Sequence, residues 1–273
     1  MDKNKVKLNQ YIDAYNVKYN ILDEDVPQFD CLITDDMVGA FRKFAETEEQ
    51  LREQSEIMNL NGTVIFTKDN RSYLIVVNKN QFNEGNDYIH TIFHEYTHVL
   101  DYHSYMKANC ICNFDKLIES KYIDAFYLWT EYHARYIGTE NYYNHQLNSN
   151  QIFDEDMRQF ITEQTEAKFE QLNKELQEFL ENKQNPKLMT HNNFLNVMYN
   201  VTQHFARFSA FKKYGVNALD NASFPISYLE HSLSIDILEY NKLLESSNNC
   251  NKLFELKKLS LLIDKIYKYT CIY

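Results

Sequence analysis

The sequence predicts a mainly α-helical protein of the α+β class, on three observations. Glycine and proline are scarce, 5 and 3 in 273 residues. An all-β sandwich or barrel would need far more of them for its tight turns. Two β-branched and aromatic runs, residues 63–67 (TVIFT) and 73–77 (YLIVV), are separated only by the polar stretch KDNRS and read as one hairpin. Most of the remaining chain repeats apolar residues at helical spacing with charges between them.

In chain order, residues 2–20 read as a weak helix. Residues 35–57 read as a stronger one, with Val38, Phe41, Phe44, Ala45 and Leu51 near helical spacing. Asn61-Gly62 marks a turn into the hairpin. After the loop 78–85, Asn86 suits an N-cap for a helix over 86–104. A further helix is expected over 119–139. The polar run 141–150 (NYYNHQLNSN) is the best candidate boundary. Helices over 154–182, 190–213, 226–246 and 252–269 follow, with Pro186, Gly215 and Pro225 between them as breakers. The expected division is therefore residues 1–148, a core with N-terminal helices, and residues 149–273, an all-helical region packed on it.

Charge and composition remove several functions. A net charge of −11 disfavours a duplex nucleic-acid binder, which needs Lys and Arg to neutralise phosphates; it favours a basic or neutral peptide as partner. The N-terminus MDKNKVKLNQ has no apolar core of a secretory signal. No run of about 18 apolar residues suggests a transmembrane segment. Five scattered cysteines, at 31, 110, 112, 250 and 271, suit reduced thiols and a cytoplasmic location. The 30 Asn, with abundant Lys, Ile and Tyr, suggest an A/T-rich coding sequence, as in bacteria, phages or mobile elements.

The chemistry is concentrated in residues 94–98, His-Glu-Tyr-Thr-His. Residues four apart lie one turn apart on one helix face, with Cβ atoms ~5–6 Å from each other. Two imidazoles so placed reach one Zn2+ ion at ~2.0–2.1 Å. Glu95 then lies close enough to act as the base for a zinc-bound water. Catalytic zinc takes a third protein ligand and keeps one position open. The segment 128–138, LWTEYHARYIG, offers Glu131 on the next helix, which would complete a His2Glu site. Asp101, Asp124, Glu119 and His133 are its rivals. Asp101 and Asp124 also suit the role of acceptor for an imidazole N–H.

The HEYTH helix followed by a helical Glu resembles the gluzincin-like branch of the zincin metallopeptidases. The nearest likeness is to the ImmA/IrrE family, carried by residues 73–78 (YLIVVN), by His94 to His98, and by Glu131-Tyr132-His133-Ala134. It covers roughly residues 60–140. The resemblance implies a zincin-like core around the hairpin, His94, His98 and Glu131 as zinc ligands, and Glu95 as catalytic base. Two features depart from related patterns: Arg135 stands where thermolysin-like enzymes place an Asp, and the third His of the metzincins is missing after His98. Residues 150–273 resemble no named family.

The function so implied is zinc-dependent endopeptidase activity on a peptide or protein substrate. An inactive zincin-like module, binding a partner through its helical half, is the alternative. The intact Glu95 argues against it, because a pure binder has no use for that carboxylate. Candidates for stabilising the oxyanion are His133, Arg135, Tyr136, Arg207 and Tyr228. Substrate is expected to pair with an exposed hairpin edge at Tyr73, Leu74, Ile75, Val76 and Val77. His90 continues the His94/His98 stripe backwards by one turn. Cys110-Ile-Cys112, with His103 upstream, is a weak metal pattern.

Overall fold

A computed structural model describes residues 3–45, 60–67, 72–79, 87–150, 155–181, 190–214, 231–246 and 253–271. The described elements are α1 (Lys3–Tyr19), β1 (Phe29–Thr34), α2 (Met37–Phe44), β2 (Gly62–Phe66), β3 (Tyr73–Asn78), α3 (Asp87–Ala108), α4 (Phe114–Ile118), α5 (Ile123–Asn150), α6 (Glu155–Glu181), α7 (His191–Lys212), α8 (His231–Ser246) and α9 (Leu253–Cys271). The described chain is thus mainly helical with one small sheet; α6, α7 and α9 lie within two residues of their predicted bounds, α8 ends at its predicted residue, and its predicted start at 226 lies outside the described residues. None of the described helices is long and apolar enough to cross a membrane.

The structure departs from the sequence reading in three places. β1 was not expected; it joins β3 in parallel, so the sheet runs β1-β3-β2 with β2 antiparallel to β3. Such a pairing is non-local, and no local turn signal announces it. β3 is therefore the central strand, not an edge. Its backbone is used on both sides, and Tyr73, Leu74, Ile75, Val76 and Val77 are all buried. The expected substrate edge at these five residues is corrected: the outer strands are β1 and β2. Finally, no break occurs at 141–150, because α5 runs on to Asn150. That segment contains no Gly or Pro, and weak helix formers yield where tertiary contacts hold the helix. The predicted Asn86 cap and the helix beyond Ala45 lie outside the described residues.

The chain forms two compact units. The division crosses α5 after Tyr136 and again after His145. The first unit comprises residues 1–121 and 137–145. Its sheet carries α2 on one face, where Met37, Ala40 and Phe41 pack with Ile65, Leu74 and Val76. Period-2 alternation sends Tyr73, Ile75 and Val77 to the other face, which α3 covers. α1 closes over α3 through the buried Leu8, Ile12 and Tyr15. It ends with Asn20 in the left-handed region, where Ile21 N–H donates to Asn16 O at 2.9 Å, a hydrogen-bonded helix stop that Asn tolerates.

The second unit comprises residues 122–136 and 146–273. Its described helices pack in pairs, α6 on α7 and α8 on α9. Phe169 meets Phe208 at a 6.0 Å ring separation, and the Thr202 and Tyr240 hydroxyls share a 2.6 Å hydrogen bond. His204 is buried here, 3.7 Å from Glu175. Burial, with the charges of Arg207, Lys168 and Arg135, pushes its pKa down from 6.5 to about 3. The unfolded chain takes up a proton near 6.5 and the folded chain only near 3, so stability falls as pH drops through that window. Acidification to pH 5 should cost on the order of 2 kcal/mol. Denaturant melts at pH 7.5 and 5 should show this loss, and His204→Phe should remove it. An unchanged pH dependence in that variant would exclude His204 as its source.

Candidate metal centre

α3 has three differently used faces, set by the 100° step between residues. Tyr96 lies roughly opposite His94 and His98. It is fully buried, and its hydroxyl donates to Asn16 Oδ1 of α1 at 2.8 Å. Thr97 Oγ1 bonds the Tyr15 hydroxyl at 2.9 Å. The two variable positions of the motif thus anchor α3 against α1, which leaves both histidines on the far side.

Two glycines set the flanks of that face. A Cβ on Gly62, at the start of β2, would come within 2.5 Å of Thr91 Cγ2 and 3.1 Å of Glu95 Cγ. A Cβ on Gly138 of α5 would come within 2.9 Å of the His90 carbonyl oxygen and 3.3 Å of its ring. Both positions are close approaches, met at Gly138 by backbone and at Gly62 first by the Thr91 methyl. β2 therefore runs against the Glu95 side of α3, and the 137–145 part of α5 runs against the His90 side.

Between these flanks the His94 and His98 rings meet edge to face, with centroids 4.6 Å apart. Their Nε2 atoms are 3.1 Å apart. Two nitrogens bound to one tetrahedral ion at ~2.0–2.1 Å would stand roughly 3.3–3.4 Å apart, so the pair needs little adjustment. A carboxylate oxygen of Glu131 completes the group: the three ligand atoms lie within 4.8 Å of one another, and all three residues are buried. This His2Glu set could hold a metal ion, and its donor chemistry suits zinc. Glu131 and Gly138 are at i, i+7 on α5 and hence on the same helix face. Arg135 Nη2 lies 3.3 Å from Glu131 Oε1.

Glu95 is buried beside the pair, and Asp101 is buried one turn beyond His98 on the same stripe. The other sequence candidates are placed elsewhere. Asp124 is half-exposed and meets His191 Nε2 at 3.0 Å, so it is not an acceptor for the motif histidines. Glu119 is exposed and paired with Lys116 at 2.7 Å. The His133 ring stacks on Trp129 at 5.2 Å. Tyr136 stacks on Tyr132, with Lys213 Nζ 5.2 Å from its ring centre. Arg207 donates to Gln203 at 3.4 Å. His90 is half-buried and stacked on His94 at 5.9 Å. Cys110 and Cys112 are exposed free thiols; among the described residues neither belongs to a metal-ligating group. Tyr228 lies outside the described residues. The spacing roles of Gly62 and Gly138 were not legible beforehand, because a glycine at an element edge looks like a breaker. No family model, curated protein or solved structure matches this chain.

Proposed function

We propose that the protein is a zinc-dependent endopeptidase with a zincin-like core akin to the ImmA/IrrE family. The observation that carries this reading is the buried convergence of His94, His98 and Glu131, with Glu95 next to the first histidine. Nothing about ordinary helix stability calls for burying two imidazoles and two carboxylates together, since each costs desolvation.

Zinc held by His94, His98 and Glu131 would supply Lewis acidity at a scissile carbonyl and lower the pKa of water. Glu95 would take the proton of the attacking water and deliver it to the amine nitrogen as the C–N bond breaks. Arg135 positions Glu131 through their ion pair and balances its charge. Asp101 remains the candidate acceptor for an imidazole N–H.

β2 supports a location for substrate. It is an outer strand of the sheet, and Gly62 brings its first residue against Glu95. An extended peptide added to β2 by backbone hydrogen bonds would run past the carboxylate that moves the proton.

Metal analysis tests the site. Purified protein should carry close to one equivalent of zinc, and His94→Ala or His98→Ala should reduce its affinity by several orders of magnitude. Full zinc retention in both variants would overturn the ligand assignment.

A further inference from the structure

We infer that the first unit holds a binding pocket for a small aromatic carboxylate, with Phe66, Tyr73, His103 and Met106 around the ring and Lys107 on the acid group. The pocket is separate from the candidate metal centre, and nothing in it depends on the endopeptidase reading.

A cavity of about 260 Å³ lies where the starts of β1 and β3 meet the last turns of α3. His103, Met106 and Lys107 line it. They follow His98 by five to nine residues, which is ~7–14 Å further along the helix axis.

Local hydrogen bonds hold the walls. Gln28, just before β1, accepts from Tyr73 N–H at 3.1 Å, which ties that segment to the start of β3. α3 ends in a hydrogen-bonded stop. Cys110 is left-handed at φ 55°, Ile111 N–H donates to Met106 O at 2.9 Å, and Cys110 N–H donates to Lys107 O at 3.4 Å. This pair of bonds turns a chain back at a helix end, and here it brings Ile111 and Cys112 into the cavity wall. Asn113, the next wall residue, caps α4: its Oδ1 accepts from Lys116 N–H at 2.9 Å. The pocket is therefore largely preformed, as small-molecule sites usually are.

Three rings form one continuous wall. Phe66 and Tyr73 meet edge to face at 5.2 Å, and Tyr73 and His103 meet at 6.4 Å with planes 87° apart. The Tyr73 hydroxyl donates to Met106 Sδ at 3.7 Å. Such edges and faces, with a thioether beside them, suit a flat ring. The volume falls just below the ~300–1,000 Å³ of sites for drug-sized ligands, so it fits one ring with a short arm.

Charge selects the arm. Burial, with the Lys107 charge, lowers the pKa of His103, so its imidazole is mostly uncharged at neutral pH. Among the described residues that line the cavity there is no carboxylate, and Lys107 is the one cation. Asp25, outside the lining, stands 3.8 Å from Lys107 Nζ, and both side chains are more than half exposed. That separation is beyond hydrogen-bond length, whereas an ammonium carries three donors. A carboxylate on a short arm can accept from it directly.

Phenylacetate, neutral phenylacetamide and non-planar cyclohexylacetate test this on the intact chain by ligand-observed NMR. Phenylacetate should bind about fivefold tighter than either of the others. Lys107→Gln, checked for unchanged helix content, should weaken phenylacetate to the level of the amide. Alkylation by iodoacetamide, resolved by fragment mass spectrometry, reads the location. Cys110 and Cys112 are both exposed thiols, but only Cys112 lines the cavity. Saturating phenylacetate should slow alkylation of Cys112 severalfold relative to Cys110. Absence of binding, equal affinity for the amide or for the non-planar acid, or a preference that survives Lys107→Gln would overturn the proposal. Unchanged alkylation of Cys112 with phenylacetate bound would place the ligand elsewhere and overturn it as well.

Discussion

Glu95→Gln is expected to keep zinc at the parental level and to lower peptide hydrolysis by about a hundredfold or more. The amide nearly matches the carboxylate in size, so the close approach of Gly62 to Glu95 in the first unit should survive. What disappears is the ability to accept a proton, and general base catalysis is worth typically 10²–10⁴ in rate. The pairing of unchanged metal with lost turnover separates a proton-transfer role from a structural one. Residual cleavage within tenfold of the parent would remove Glu95 from the chemistry. Loss of metal together with activity would instead make Glu95 part of the ligand set. The assay has to use a peptide cleaved by the parent protein, with chelator-treated protein as the blank.

Gly138→Leu should weaken zinc binding at least tenfold and lower the melting temperature. On helix propensity alone the change is favourable by about 1 kcal/mol, so any loss must come from contact. The Cβ alone would stand 2.9 Å from the His90 carbonyl oxygen, and the backbone there cannot turn aside as a side chain can. α5 or α3 has to move, and the same α5 face carries Glu131. Gly138→Ala should show the same effect in smaller degree. Parental zinc affinity in both variants would show that this close approach does not position the metal ligand.

The local signals read well where they were strong. Helical periodicity with breakers placed α6 and α7 to within a residue or so of their observed ends. The β-branched runs on either side of a polar turn announced the β2–β3 hairpin, because such a pairing is decided by a few neighbouring residues. Four residues of a motif put His94 and His98 on one face through helix geometry alone. Other features were missed for one shared reason. β1 is short, and its partner β3 lies about forty residues away. The continuation of α5 through residues 141–150 depends on contacts such as Asn141 Nδ2 to the Tyr19 hydroxyl at 2.8 Å, which no local propensity registers.

The site divides in the same way. The sequence by itself determined which residue types sit on one helical turn, and therefore that two imidazoles and a neighbouring carboxylate are available for metal chemistry. Helix geometry is local, so no partner segment is needed to decide it. Only the tertiary structure decided that β3 is paired on both sides, that Asp124 answers His191, and that Glu131 rather than Glu119 or His133 joins the histidines. Those outcomes depend on which distant segments pack together, as at the close approaches of Gly62 to Glu95 and of Gly138 to His90. The excess of acidic residues was legible from composition, whereas the burial that holds His204 neutral required helices to pack. Composition fixes only the sum of the charges; packing fixes which of them lie within a screening length of each other.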